Sequence, residues 1–123
     1  MTALLDTNAV IYLQKGMLNE ALPVDDYAIS VITEMELLSF PGLHSSQIDW
    51  LNRFIDELEV IPIDNDVKRL AIELRRMRRL KLPDAIIAAS ALSRNAVLFS
   101  NDQAILTIPQ LNTRRLALRH EIP

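Results

Sequence analysis

The sequence predicts an α/β fold: a mainly parallel central sheet with helices packed on both faces. Three observations predict it. Short apolar runs alternate with longer amphipathic stretches from one end of the chain to the other, the pattern of strands joined by helical crossovers. The chain has 123 residues, enough for one domain, residues 1–123, with a substantial core. Half of its residues are hydrophobic and 24% are charged, which excludes a disordered polymer.

Ala3-Leu4-Leu5 is short, apolar and ended by Asp6, as a buried strand would be. Asn8 to Leu13 reads as the start of a helix. Tyr27 to Val31 is a second strand candidate, and Thr33, Met35, Leu37, Leu38 and Phe40 continue as a helix stopped by Pro41-Gly42. Ser45-Ser46 opens a helix in which Ile48, Leu51, Ile55 and Leu58 recur at helical spacing. Glu59 to Ile63 is a short strand, and Pro62 suits a sheet edge or a strand end. Asp64 caps the next helix, Asn65–Leu80, with Val67, Leu70, Ala71, Leu74 and Met77 as its buried stripe. Pro83-Asp84 opens a helix that runs to Arg94 and is apolar all round, hence central. Ala96 to Phe99 is a further buried strand. Asn101-Asp102 begins a short turn or helix ending near Pro109, and Arg114 to Arg119 reads as a last edge strand.

Composition removes several chemistries. There is no cysteine, so disulfides, zinc–thiolate sites, iron–sulfur clusters and thiol nucleophiles are excluded. The only glycines, Gly16 and Gly42, cannot build a phosphate loop or a dinucleotide fingerprint. His44 and His120 are too few for a histidine-rich metal site, and neither is given a role. No apolar stretch approaches the ~20 residues that span a bilayer, and Asp6 interrupts the run that a signal peptide needs. A cytoplasmic protein without a membrane partner is the expectation.

Four acids share a context. Asp6 follows the first strand, Asp102 follows the Ala96–Phe99 strand, Glu36 falls in the first turn of the helix after the second strand, and Asp84 opens the apolar helix. In open α/β sheets, ligands bind outside the carboxyl ends of strands. Each acid also has an ordinary structural role open to it. Asp6 can cap a helix, Thr33 and Glu36 fit a capping box, Asp84 can face a helix dipole, and Asp102 can cap the segment Gln103–Leu106. Jointly they suggest more. Asp6 and Asp84 adjoin apolar residues, where a lone carboxylate is costly to bury. Carboxylates that converge repel one another, and a hard divalent cation with oxygen ligands removes that penalty.

Four motifs occur in order: Leu5-Asp6-Thr7-Asn8, Ser30-Val31-Ile32-Thr33-Glu34-Met35-Glu36-Leu37, Leu82-Pro83-Asp84-Ala85-Ile86-Ile87-Ala88-Ala89-Ser90-Ala91, and Leu98-Phe99-Ser100-Asn101-Asp102. With them the chain resembles the PIN-domain ribonucleases, most closely the VapC-type toxins of toxin–antitoxin pairs. The register of the second motif selects Glu36 over Glu34. The resemblance implies metal-dependent hydrolysis of RNA, with Asp6, Glu36, Asp84 and Asp102 holding one or two Mg²⁺ or Mn²⁺ ions that lower the pKa of a water. Thr7, Asn8 and Ser100 are supporting candidates that hold carboxylates and waters. It also implies a cognate protein antitoxin and a homodimer, for which the N-terminal helices and the Ser45–Leu58 helix, with Trp50 and Phe54 off its stripe, are candidate surfaces. Many relatives carry Gly soon after the second acid and Phe after the fourth. Here those places read Leu37-Leu38-Ser39-Phe40 and Gln103-Ala104-Ile105, which alters the outer pocket wall and no carboxylate. A non-catalytic PIN-fold binding module is the alternative. A receiver-type phosphoacceptor would need a second acid beside Asp6, where Thr7 stands.

The charge is unevenly spread. Residues 1–64 hold eleven acids against Lys15 and Arg53, whereas residues 65–123 hold eleven basic residues against five acids. Lys68, Arg69, Arg75, Arg76, Arg78, Arg79 and Lys81 crowd into residues 66–81. Arg75, Arg76 and Arg79 point away from the buried stripe, with Arg78 and Lys81 near the helix end. These five are candidates for holding RNA phosphates. A solvated helix face, with cations favouring its negative C-terminus, is the plain alternative.

Overall fold

The computed structural model describes residues 2–23 and 25–119; His120 lies outside them. The strands are β1 (Thr2–Leu5), β2 (Asp26–Ser30), β3 (Glu59–Ile61), β4 (Val97–Phe99) and β5 (Asn112–Arg114). They form one sheet in the order β3-β2-β1-β4-β5, and every pairing is parallel. The helices are α1 (Thr7–Gln14), α2 (Val31–Leu38), α3 (Ser45–Asp56), α4 (Asn65–Met77), α5 (Leu82–Arg94) and α6 (Gln103–Leu106).

Side chains alternate across a strand, and the core divides accordingly. Leu4, Ala28 and Leu98 join the helices α4 and α5 on one face, with Val67, Ala71, Leu74 and the run Ala85–Ala89. Ala3, Leu5, Ile29 and Phe99 join α1 and α3 on the other, with Ala9, Val10, Leu51 and Ile55. Covering on both faces explains why the strands read as unbroken apolar runs. Helix α5 is buried along Ala85–Ala91, as its all-round apolarity predicts. Asn95 ends it in the left-handed conformation at φ 50°, which asparagine tolerates better than most residues. β3 is an edge strand that ends before Pro62, where the missing N–H costs no ladder bond.

Several elements differ from the sequence reading. The last strand is Asn112–Arg114, not Arg114–Arg119; residues 115–119 instead turn back, and Leu18 and Leu118 form an antiparallel bridge. Helix α4 stops at Met77 rather than Leu80, because Arg78 takes an extended conformation. Met77 is 67% exposed and no part of the buried stripe. Ile48 of α3 is also exposed. Trp50 and Phe54 stack on each other at 4.9 Å and pack against the second core cluster, so they form the rim of a core rather than a free aromatic surface.

Candidate active site

The chain runs outward from β1 to β2 to β3, then restarts on the other side of β1 with β4. The gap between β1 and β4 is the point where the strand order reverses, and ligand sites of open α/β sheets form there. Asp6 leaves β1 and Asp102 follows β4, so the two acids flank that point. The Asp6 N–H, bonded to the Phe99 carbonyl at 3.2 Å, locks the two strand ends together.

Asp6 caps α1, accepting the Ala9 N–H at 2.8 Å, and is only 4% exposed. Asp102 caps α6, accepting the Ala104 N–H at 2.8 Å. Both cap roles anticipated from sequence are therefore present. The Thr33–Glu36 capping box is not. Ser30 caps α2 by accepting the Ile32 N–H, so the helix starts at Val31 and Glu36 falls beyond its first turn. Glu36 instead accepts a hydrogen bond from Thr7 Oγ1 at 2.7 Å. Thr7 Oγ1 lies 3.0 Å from Thr33 Oγ1. Asp84 sits in the first turn of α5, and its carboxylate accepts no hydrogen bond among the described residues.

The four acids act on one another. Burial pushes the Asp6 carboxyl above its ordinary 3.8, and the charges of Asp102 and Asp84 push it further. The Ser100 hydroxyl and the Ala9 N–H act the other way. Burial also raises Asp84, helped by Asp102 and Glu36 and opposed by Lys81. Ser100 is fully buried and links the two caps: it lies against Asp6, and its Oγ accepts the Asp102 N–H at 3.0 Å. Among the described residues no three acid or histidine side chains already form a metal-ligand cluster. What links the carboxylates is electrostatic: Asp102 acts on both Asp6 and Asp84, and Glu36 on Asp84. Their donor set is all oxygen, with an unpartnered carboxylate in it, and so suits a hard divalent cation.

Of the supporting candidates, Thr7 and Ser100 touch the acids. Asn8 makes no hydrogen bond to them among the described residues; it lines a cavity of about 640 Å³ with Thr7, Glu36, Phe40 and His44. Two residues have a part in the site that the sequence analysis did not give them. Thr33 is fully buried and reaches Thr7. Asn101 pairs with the backbone of Leu116 in both directions, at 2.9 and 2.7 Å, and pins the turn that carries Asp102. Only the neighbouring motif letters could have marked Asn101, since its partner lies fifteen residues away.

The basic residues gather elsewhere. Lys68, Arg75, Arg76, Arg78, Arg79 and Lys81 line a groove of about 860 Å³ together with Ile63, Ile72, Leu80, Leu82 and Ile86. None of these six cations makes an ion pair among the described residues. Arg75 Nε donates to the Leu80 carbonyl at 3.3 Å, which folds the chain back after α4. Lys81 belongs to the groove and also lowers the Asp84 carboxyl, so the basic groove reaches the edge of the acid site. No described helix is long and apolar enough to cross a membrane.

None of the curated proteins compared matches the chain. The family model "PIN domain" matches residues 3–110. Among solved structures, the chain is similar to a toxin–antitoxin complex from Klebsiella pneumoniae, at 30% identity and a TM-score of 0.72, covering 89% of this chain and 94% of that one. It is also similar to VapBC-1 from nontypeable Haemophilus influenzae, at 26% identity and TM-score 0.76, covering 94% and 98%. A third structure, DNA-bound VapBC from Salmonella typhimurium, shares the fold at 24% identity and TM-score 0.77, with 94% and 98% covered. A parallel sheet with acids at its switch point, a family match over most of the chain and these neighbours lead to one conclusion: the chain belongs to the PIN domain family and is VapC-like in architecture.

Proposed function

We propose that this protein is a divalent-metal-dependent ribonuclease acting as the toxin of a toxin–antitoxin pair in the cytoplasm. The observation that carries the reading is Asp84. Its half-buried carboxylate has no hydrogen-bond partner among the described residues, lies in the fields of Asp102 and Glu36, and is pushed toward protonation. A group so placed costs stability unless a cation compensates it.

Asp6, Glu36, Asp84 and Asp102 would hold Mg²⁺ or Mn²⁺. When bound, such a cation lowers the pKa of a neighbouring water and offsets charge on the scissile phosphate. The chain supplies the rest. Thr7 keeps one oxygen of Glu36 occupied, and Ser100 holds the Asp102 turn beside Asp6. Arg75, Arg76, Arg78, Arg79 and Lys81 would hold the RNA backbone, which the acids alone would repel; their lack of ion pairs among the described residues and the influence of Lys81 on Asp84 support this. A protein antitoxin is the proposed partner, in line with the toxin–antitoxin complexes among the structural neighbours. The cavity lined by Thr7 and Glu36 gives such a partner a way to Glu36. We propose a homodimer as well, checked by light scattering at micromolar concentration, with a 14.0 kDa particle counting against it.

The test is cleavage of a mixed RNA pool by purified protein. Fragments should appear with Mg²⁺ or Mn²⁺ and vanish with EDTA. Binding of RNA without cleavage under any divalent ion would favour the non-catalytic module.

A further inference from the structure

Thr33 is one of five buried polar or charged residues among the described residues, and its side chain is sealed from solvent at 0% exposure. Its side-chain partner is Thr7 Oγ1, 26 positions earlier in the chain, at 3.0 Å. Either hydroxyl could donate if the pair stood alone. It does not stand alone, because Thr7 Oγ1 is also 2.7 Å from Glu36 Oε1. An ionised carboxylate only accepts, and a threonine hydroxyl has a single proton. The Thr7 proton therefore goes to Glu36, and Thr7 Oγ1 must accept from Thr33. The chain has one direction: Thr33 to Thr7 to Glu36.

We infer that Thr33 is a positioning residue for the acid site, acting through Thr7 to aim Glu36. It sits on α2 three residues before Glu36, one turn along the same helix, while Thr7 sits on α1. The relay thus ties the helix after β2 to the helix after β1. A hydroxyl that receives a hydrogen bond donates a stronger one, so Thr33 tightens the Thr7–Glu36 bond without touching the acid. It also commits the Thr7 proton to one oxygen of Glu36 and leaves the other for a cation. That last step rests on the metal-dependent reading above; the direction of the relay does not.

The test compares Thr33→Val, which keeps the shape and removes the donor, with Thr33→Ser, which keeps the donor. In metal-free protein, NMR should show a slowly exchanging Thr7 hydroxyl proton in the wild type and in Thr33→Ser, and a several-fold faster exchange of that proton in Thr33→Val. Mn²⁺ titration should show affinity weakened roughly tenfold in Thr33→Val, the range for residues that orient a ligand through hydrogen bonds. Thr33→Ser should stay within about twofold of wild type. Thr7→Val should lose as much as Thr33→Val, and the double variant no more than Thr7→Val alone, since both cut one chain. Losses that multiply in the double variant, or a folded Thr33→Val with wild-type Mn²⁺ affinity and an unchanged Thr7 hydroxyl exchange rate, would overturn the inference. If Thr33→Val folds poorly, Thr33→Ser and the Thr7 signal still decide it. A wild type that binds no Mn²⁺ yet shows the Thr33-dependent hydroxyl signal would sink the metal reading and keep the relay.

Discussion

The acid site and the basic groove lie side by side and are built in opposite ways. The acids come from four separate segments: after β1, within α2, at the start of α5 and after β4. Asp6 is buried and Asp84 partly so, and the carboxyls of both are pushed up by burial and by neighbouring carboxylates, Asp102 in each case. The six groove cations come from one stretch, residues 68–81. All but the partly covered Arg78 are exposed, and they have no ion-pair partners among the described residues. Solvent screens like charges at little cost, so a basic cluster needs only a helix end. Burial removes that screening, so an acid cluster needs a scaffold stable enough to hold charges that would rather separate. Repulsion is stored in the first region and dissipated in the second.

Asp84→Asn breaks the comparison most sharply. It should lower RNA cleavage by about two orders of magnitude or more, in the range lost with a key electrostatic group. It should also raise the melting temperature of the metal-free protein, because it removes a charge that burial and the Asp102 and Glu36 carboxylates disfavour. Mn²⁺ should stabilise the wild type by mass action and the variant much less. A clear drop in the metal-free melting temperature would mean that Asp84 is a structural helix-start residue. In the basic region the matching change is the triple substitution of Arg75, Arg76 and Arg79 to Gln. RNA affinity measured across a salt series should fall for every sequence, with the salt slope flattened by up to ~0.7 per lost contact for single strands. Melting temperature and Mn²⁺ affinity should hold. An unchanged slope returns the groove to a solvated helix face.

The smallest effect is in pH. Asp6 and Asp84 bind protons more tightly folded than at their ordinary 3.8. Between the unfolded and the raised folded values, the folded state holds more protons, so their contribution to stability falls as pH rises through that window. Other carboxylates obscure this in the wild type alone. The difference between wild type and Asp84→Asn should isolate it: the variant gains on the wild type as pH climbs from 3.8 through the raised range, and saturating Mn²⁺ erases the gain. A difference that stays flat with pH would remove the stored repulsion.

Much of this was legible in the sequence, and the failures share a cause. Alternating apolar runs and the all-apolar helix gave the sheet and the central α5. Asp6, Asp84 and Asp102 stood out because each follows a strand or opens a helix, which are local facts, whereas Glu36 lies inside α2 and was marked by the register of its motif. Capping could be read for Asp6 and Asp102 for the same reason. It misled at Thr33, because a Thr–x–x–Glu pattern cannot show that Ser30 already caps the helix or that Thr33 faces Thr7 across the fold. Met77 fitted the apolar spacing of α4, yet the helix ends there and leaves it outside. Asn101 carried no local signal, since its partner is brought to it by the turn after β5.

That last contact sets an order of assembly. The turn bearing Asp102 is pinned by Leu116, and residues 117–119 close onto the segment after α1: the Asn19 N–H bonds to the Ala117 carbonyl at 2.9 Å, and the Arg119 N–H to the Met17 carbonyl at 2.9 Å. The second closure joins positions about a hundred residues apart, so its loop entropy is among the largest in the fold. A chain emerging from the ribosome from its N-terminus has all four carboxylates before it has the residue that holds one of them in place. From the moment Asp102 is added until Leu116 follows it, the growing chain carries every acid of the site without the clasp that completes it.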